Sequence, residues 1–405
     1  MTHGGAAAQE ADGVRRTAGA GHATGRFSWP RGHPWLASAL ALAVVAGGVA
    51  VPLALAGGGS PCEQLPAATR ALAGNPAAAT KALDPRDDMS RFPALRSLLP
   101  TGRLCGDGGR VLGTVVAEAT GTADAGTTAT GRDHTPAQAR AVWAVVVVYG
   151  GAEVPPGAEP GLARMLAGYI ADTTRASGVS LDADAPAVPA RSAAATDETG
   201  RSRFGAFLSP GDAHPDFAFN QAHAVSVPLG PLFDGLARDP RAFAILYGAE
   251  RAYLAHYLER LTDKGTDPGH HPGKAAKGRK NPETRGVDSD LDDIARRVGG
   301  LLRTRSSAAR AGHIDLAAYD RSVRRHTRGA YRAAPTRLTT RPPMGGIAGR
   351  PVSGPVRGDL MDGREQLSRT LDAWAKARTV PAARAAAMRG ILDDGYVWAF
   401  RDGST

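Results

Sequence analysis

Aromatic residues make up only 5% of this 405-residue sequence, and cysteine occurs twice. Familiar catalytic signatures are absent. There is no GxSxG or SxxK to supply a serine nucleophile, no HExxH, and no CxxC. Gly345-Gly346-Ile347-Ala348-Gly349-Arg350 is glycine-rich but lacks the Lys-Ser/Thr that a phosphate-cradling loop needs, and Pro351 follows it. No pair of histidines stands at helical spacing, so His214, His223, His270 and His271 read as exposed or structural rather than as ligands. Asp288-Ser289-Asp290-Leu291-Asp292 starts like a calcium loop. The pattern then fails, with Asp293 where glycine is required and Gly299 where the bidentate glutamate belongs. Carboxylates at a helix N-terminus are favoured by the helix dipole and need no metal. The sequence therefore predicts no metal and no cofactor.

Charge is missing altogether between Pro34 and Cys62. Within that run Trp35 to Ala56 holds five Leu, four Val and eight Ala in 22 residues. As a helix it would span about 33 Å, enough for a hydrocarbon core of about 30 Å. Arg15, Arg16, Arg26 and Arg31 precede it, whereas Arg70 is the only basic residue from Gly58 to Thr80. That asymmetry predicts a single-pass membrane protein with its N-terminus inside and its C-terminus outside. Ala54-Leu55-Ala56 also fits a cleavage site, so secretion after Ala56 is the alternative; the long leader favours a retained anchor.

What is present is hydrophobic content of 42% and a surplus of basic residues, giving a formal net charge of +10. The surplus is local. Lys264 to Arg341 carries 18 Lys or Arg against 8 Asp or Glu, and the rest of the chain is balanced. Two clusters stand out there, Lys274, Lys277, Arg279 and Lys280 in a Gly/Pro-containing linker, and Arg321, Arg324, Arg325, Arg328 and Arg332 at helix-like spacings. Outside a membrane such a stretch points to anionic envelope polymers or lipid headgroups rather than nucleic acid. Cys62 and Cys105, both beyond the apolar run, are expected to form a disulfide.

Periodicity predicts a mainly α fold: one transmembrane helix, then an exported helical domain with loops and a few short strands. The expected divisions are a tail at 1–33, the apolar segment at 34–57, a helical domain at 58–262, a basic linker at 263–286 and a helical part at 287–405. Short Ala-rich helices punctuated by prolines occupy Glu63 to Pro100, and Val111 to Val116 reads as a strand. Thr135-Pro136 starts a helix that runs to Tyr149, although the β-branched run Val145 to Val148 leaves a strand open. Further helices are expected over Pro160 to Ser177, over Pro240 to Leu261 with an aromatic stripe, from Asp288, over Arg364 to Arg378 and over Pro381 to Leu392.

Function is read in two ways. The first is a non-enzymatic, membrane-anchored binding or scaffolding protein whose basic stretch meets an anionic surface. The second is an exported hydrolase using Asp212, His214 and Asp216, where imidazole and carboxylate would share acid–base work.

Overall fold

In the computed structural model the chain divides between Gly58 and Gly59 into two units, and every described residue belongs to the second. The described residues are 62–123, 132–175, 190–192, 208–217, 229–268, 286–350 and 352–401.

Prolines and caps set the first elements. These are α1 (Ala67–Arg70), α2 (Pro76–Leu83), α3 (Phe92–Arg96) and α4 (Gly108–Ala119). Asn75 opens α2 by accepting the Ala78 N–H at 3.1 Å, with Pro76 in the first turn where its missing N–H costs nothing. Then come α5 (Pro136–Tyr149), α6 (Glu159–Gly168) and α7 (Ile170–Arg175). Thr135 and Gln138 form a full capping box at the start of α5. The Val145 to Val148 run is helical, because α5 lies inside the core and most of its residues are buried. The expected helix at Pro160 to Ser177 is broken at Tyr169 into α6 and α7.

Val111 to Val116 is not a strand. It lies within α4, where Val111, Leu112, Val115 and Val116 are buried together. A helix is favoured there because Gly113 lets α4 meet α6 closely: a Cβ on Gly161 would overlap the Gly113 backbone. Packing overrides the β-branched preference.

Two short strands, β1 (Ala190–Ser192) and β2 (Ala213–Pro215), pair antiparallel with Arg191 opposite His214. The remaining helices are α8 (Leu229–Leu236), α9 (Pro240–Leu258), α10 (Val287–Arg310), α11 (Leu316–His326), α12 (Gly345–Ala348), α13 (Gly363–Ala377) and α14 (Ala382–Arg401). The fold is mainly helical.

Helix α9 is the central post, packed by α6, α10, α11, α12 and α13. Its aromatic stripe is a core face: Phe243, Leu246, Tyr247, Leu254 and Leu258 are buried. Tyrosine hydroxyls in the core find partners as their polarity requires. The Tyr247 hydroxyl donates to the Leu360 carbonyl at 2.9 Å, and that of Tyr257 donates to Asp290 at 2.8 Å. The long helices α10 and α14 lie against each other where Gly299 faces Ala399 and the Tyr396 carbonyl. The three aspartates that opened the calcium-like motif diverge to separate arginines. Asp288 pairs with Arg384, Asp290 with Arg175 and Asp292 with Arg296.

Cys62 and Cys105 form the disulfide, with Cα atoms 5.0 Å apart. Beside it the Glu63 N–H donates to the Arg103 carbonyl at 2.8 Å and the Cys105 N–H to the Glu63 carbonyl at 2.9 Å. The bridge thus fastens the first described segment to the turn before α4.

The expected membrane placement has to be corrected. Among the described residues no helix is long and apolar enough to cross a membrane. Trp35 to Ala56, on which the single-pass topology rested, lies outside the described residues. A run of apolar composition is a statement about sequence. A spanning helix also needs the backbone to be satisfied along its whole length, and no helix of that kind is found among the described residues.

Candidate functional site

His214 hydrogen-bonds Asp172, which is not one of the Asp212, His214 and Asp216 set read from the sequence. β2 carries His214 into the interior beside α5, where it is fully buried. Its Nδ1 lies 2.8 Å from Oδ1 of Asp172 on α7. Asp212 does not hydrogen-bond His214. Its two oxygens accept the backbone N–H groups of His134 and Met344, each at 2.8 Å. This one carboxylate therefore joins the start of α5, the segment before β2 and the residue that opens α12. Asp216 is also buried, and its charge helps raise the Asp172 pKa.

Burial dominates the electrostatics here. It pushes the Asp212 carboxyl up to about 6 against the opposing pull of its two backbone hydrogen bonds. Burial likewise raises Asp172, opposed by His214. His134, stacked on Tyr169 with ring centroids 4.0 Å apart, is pushed down to about 3 by burial and then by His214, so it is neutral. His134, Tyr169 and Asp172 had not been singled out from the sequence. Asp172 lies in the polar end of the predicted Pro160 to Ser177 helix, and His134 reads only as a residue before a cap. All these groups are sealed from solvent. Among the described residues, no group of three or more His, Cys, Asp or Glu could hold a metal ion.

The predicted basic set is described only in part. Lys274, Lys277, Arg279 and Lys280 lie outside the described residues, as do His223, His270 and His271. Arg321, Arg324 and Arg325 are exposed on α11, where Arg324 pairs with Asp359 at 2.6 Å. Helix α11 ends at His326, so Arg328 and Arg332 do not continue its stripe. They belong to an irregular strap that runs back along α9.

That strap closes over a feature the sequence did not announce. A cavity of about 460 Å³ lies between α6, α9 and the strap, within the usual range for small-molecule sites of about 300–1,000 Å³. Among the described residues, its ionisable lining is basic apart from one tyrosine: Arg164, Arg241, His326, Arg328, Arg350 and Tyr331, with no Asp or Glu. Arg350 is held by Glu259, which also accepts the Ala334 N–H of the strap. Arg164, half-buried on α6, and Arg241, exposed in the first turn of α9, have no hydrogen-bonding or ion-pairing side-chain partner among the described residues. Burial, and then the neighbouring Arg241 charge, lowers the pKa of Arg164. Two adjacent guanidiniums without a counter-ion invite an anion, because each planar fork can donate two parallel hydrogen bonds to an oxyanion.

Comparison with known proteins finds no protein family, no curated protein and no solved structure that matches this chain.

Proposed function

We propose that this protein binds an anionic small molecule in the cavity between α6, α9 and the strap. One observation supports the reading above others: Arg164 and Arg241 face the cavity with no carboxylate among the described residues of its lining. This keeps the expected non-enzymatic binding role and moves it from the basic linker to a formed concavity. Titration calorimetry with inorganic phosphate and with pyrophosphate tests it. Both are expected to bind, and Arg164→Met combined with Arg241→Met is expected to weaken binding by about tenfold or more, since charge-assisted hydrogen bonds contribute about 1.5–3 kcal/mol each. Absence of binding by either anion at low salt overturns the proposal.

A second reading, hydrolysis, is favoured by the 2.8 Å contact between Asp172 and His214, an oriented imidazole–carboxylate pair. It moves the acid–base partner from Asp212 to Asp172. Against it, His214 has no exposed surface for a substrate to reach. Loss of an ester- or glycoside-cleaving activity in a folded His214→Asn protein would support this reading, and unchanged activity would end it.

A further inference from the structure

The cavity has an apolar wall as well as a charged end. We infer that its ligand is a phosphate monoester with a slender apolar body, the phosphate seated between Arg164 and Arg241; the inference rests on the anion-binding reading above. Helix geometry orders the site. Arg241 stands at the start of α9, and Ala244, Ile245, Gly248 and Ala249 follow it along the same face at spacings of one, three and four. The cavity wall therefore runs from a charged end into an apolar one over about two turns, or about 11–12 Å. Across from it stand Ala167 of α6 and Ala348 and Val352 from the returning chain. Small side chains on both walls leave a narrow trough. Tyr331 lies beyond, its hydroxyl close to Gly248.

Charge count narrows the head group. A phosphate monoester carries about −1.5 to −2 near neutrality, which matches the two guanidiniums that lack counter-ions. A monocarboxylate would leave one of them uncompensated. Arg350 and Arg328 do not compete for this role, because Glu259 neutralises Arg350 and Arg328 is engaged in an interaction of its own. The body of the ligand is apolar because, among the described residues, the α9 wall of the trough offers no hydrogen-bonding side chain beyond Arg241. Burying methylene groups there removes apolar surface from water and strengthens binding.

Calorimetry on the full-length protein with inorganic phosphate, hexyl phosphate, hexanoate and hexanol decides the matter. Hexyl phosphate is expected to bind about tenfold or more tighter than inorganic phosphate, with hexanoate weaker and hexanol not binding. Ile245→Asn is expected to remove most of the gain from the hexyl chain and leave inorganic phosphate binding intact. Arg164→Met with Arg241→Met should weaken binding of both phosphates by about tenfold or more. Equal affinity for inorganic and hexyl phosphate overturns this inference and leaves a site that reads the anion alone. Hexanoate binding as tightly as hexyl phosphate overturns the assignment of a phosphate head. No binding by any of the four overturns this inference and the anion-binding proposal together.

Discussion

At the scale of single residues, the described core contains ionisable groups that are stable only because their surroundings fix their state. Glu250 on α9 is fully buried, and burial pushes its carboxyl up to about 8, against the opposing effects of Arg297 and of the Thr174 hydroxyl, which donates to it at 3.0 Å. It is therefore protonated at neutral pH. In the unfolded chain the same carboxyl ionises near 4.5. The folded state holds the extra proton between those values, so stability falls as pH rises through that window. The contribution is complete below about pH 4.5 and gone above about pH 8. Urea unfolding from pH 6 to 8 is expected to show a declining midpoint that flattens in Glu250→Gln; an unchanged slope in the variant would disprove the assignment. Asp212 makes a different prediction. Replacing it by Ala strands the His134 and Met344 N–H groups, at about 1–3 kcal/mol for each buried donor left without an acceptor. Asp212→Asn keeps an acceptor oxygen and is expected to cost less by the same measurement. The sequence had offered Asp212 as catalytic. Its partners are backbone groups 78 and 132 residues away in the chain, and nothing local could reveal them.

At the scale of elements, most helices were legible because caps and periodicity are local. Thr135-Pro136 announces a helix start, and the Thr135 side chain accepts a backbone N–H as expected; Asp239 caps α9 in the same way, before the Pro240 at which the sequence places that helix start. The aromatic stripe of Pro240 to Leu261 was readable as a core face for the same reason. What failed was VLGTVV: its six residues suit a strand by composition, and only the approach of α6 onto Gly113 makes α4 the better solution. That contact can be tested. Gly161→Ala places a methyl group on the Gly113 backbone, and overpacking of this kind costs about 1–3 kcal/mol. Thermal unfolding should show a clear loss. A neutral result would mean the two helices are not held at that distance.

At the scale of the whole molecule, the disulfide closes a loop of 43 residues that spans α1 to α3. Constraint of the unfolded chain by such a loop is worth about 3–4 kcal/mol. A Cys62→Ser, Cys105→Ser protein is expected to unfold at lower urea by that amount, and wild type under strong reductant should match it. An unchanged midpoint in both would show that the loop is already ordered when unfolded.

The sequence by itself determined the helical class, most helix starts, the central aromatic helix and the pairing of its only two cysteines, because each depends on neighbours a few residues apart or on there being a single possible partner. It also determined that basic charge is concentrated in the second half of the chain. Tertiary structure decided which of those charges matter together. Arg164 and Arg241 are 77 positions apart and stand on different helices, in a stretch whose overall charge is balanced. They meet because α6 packs on α9, and the strap after α11 folds back to roof them. Convergence of that kind is a property of packing, with no trace in local spacing, so the cavity appeared only when the chain was folded.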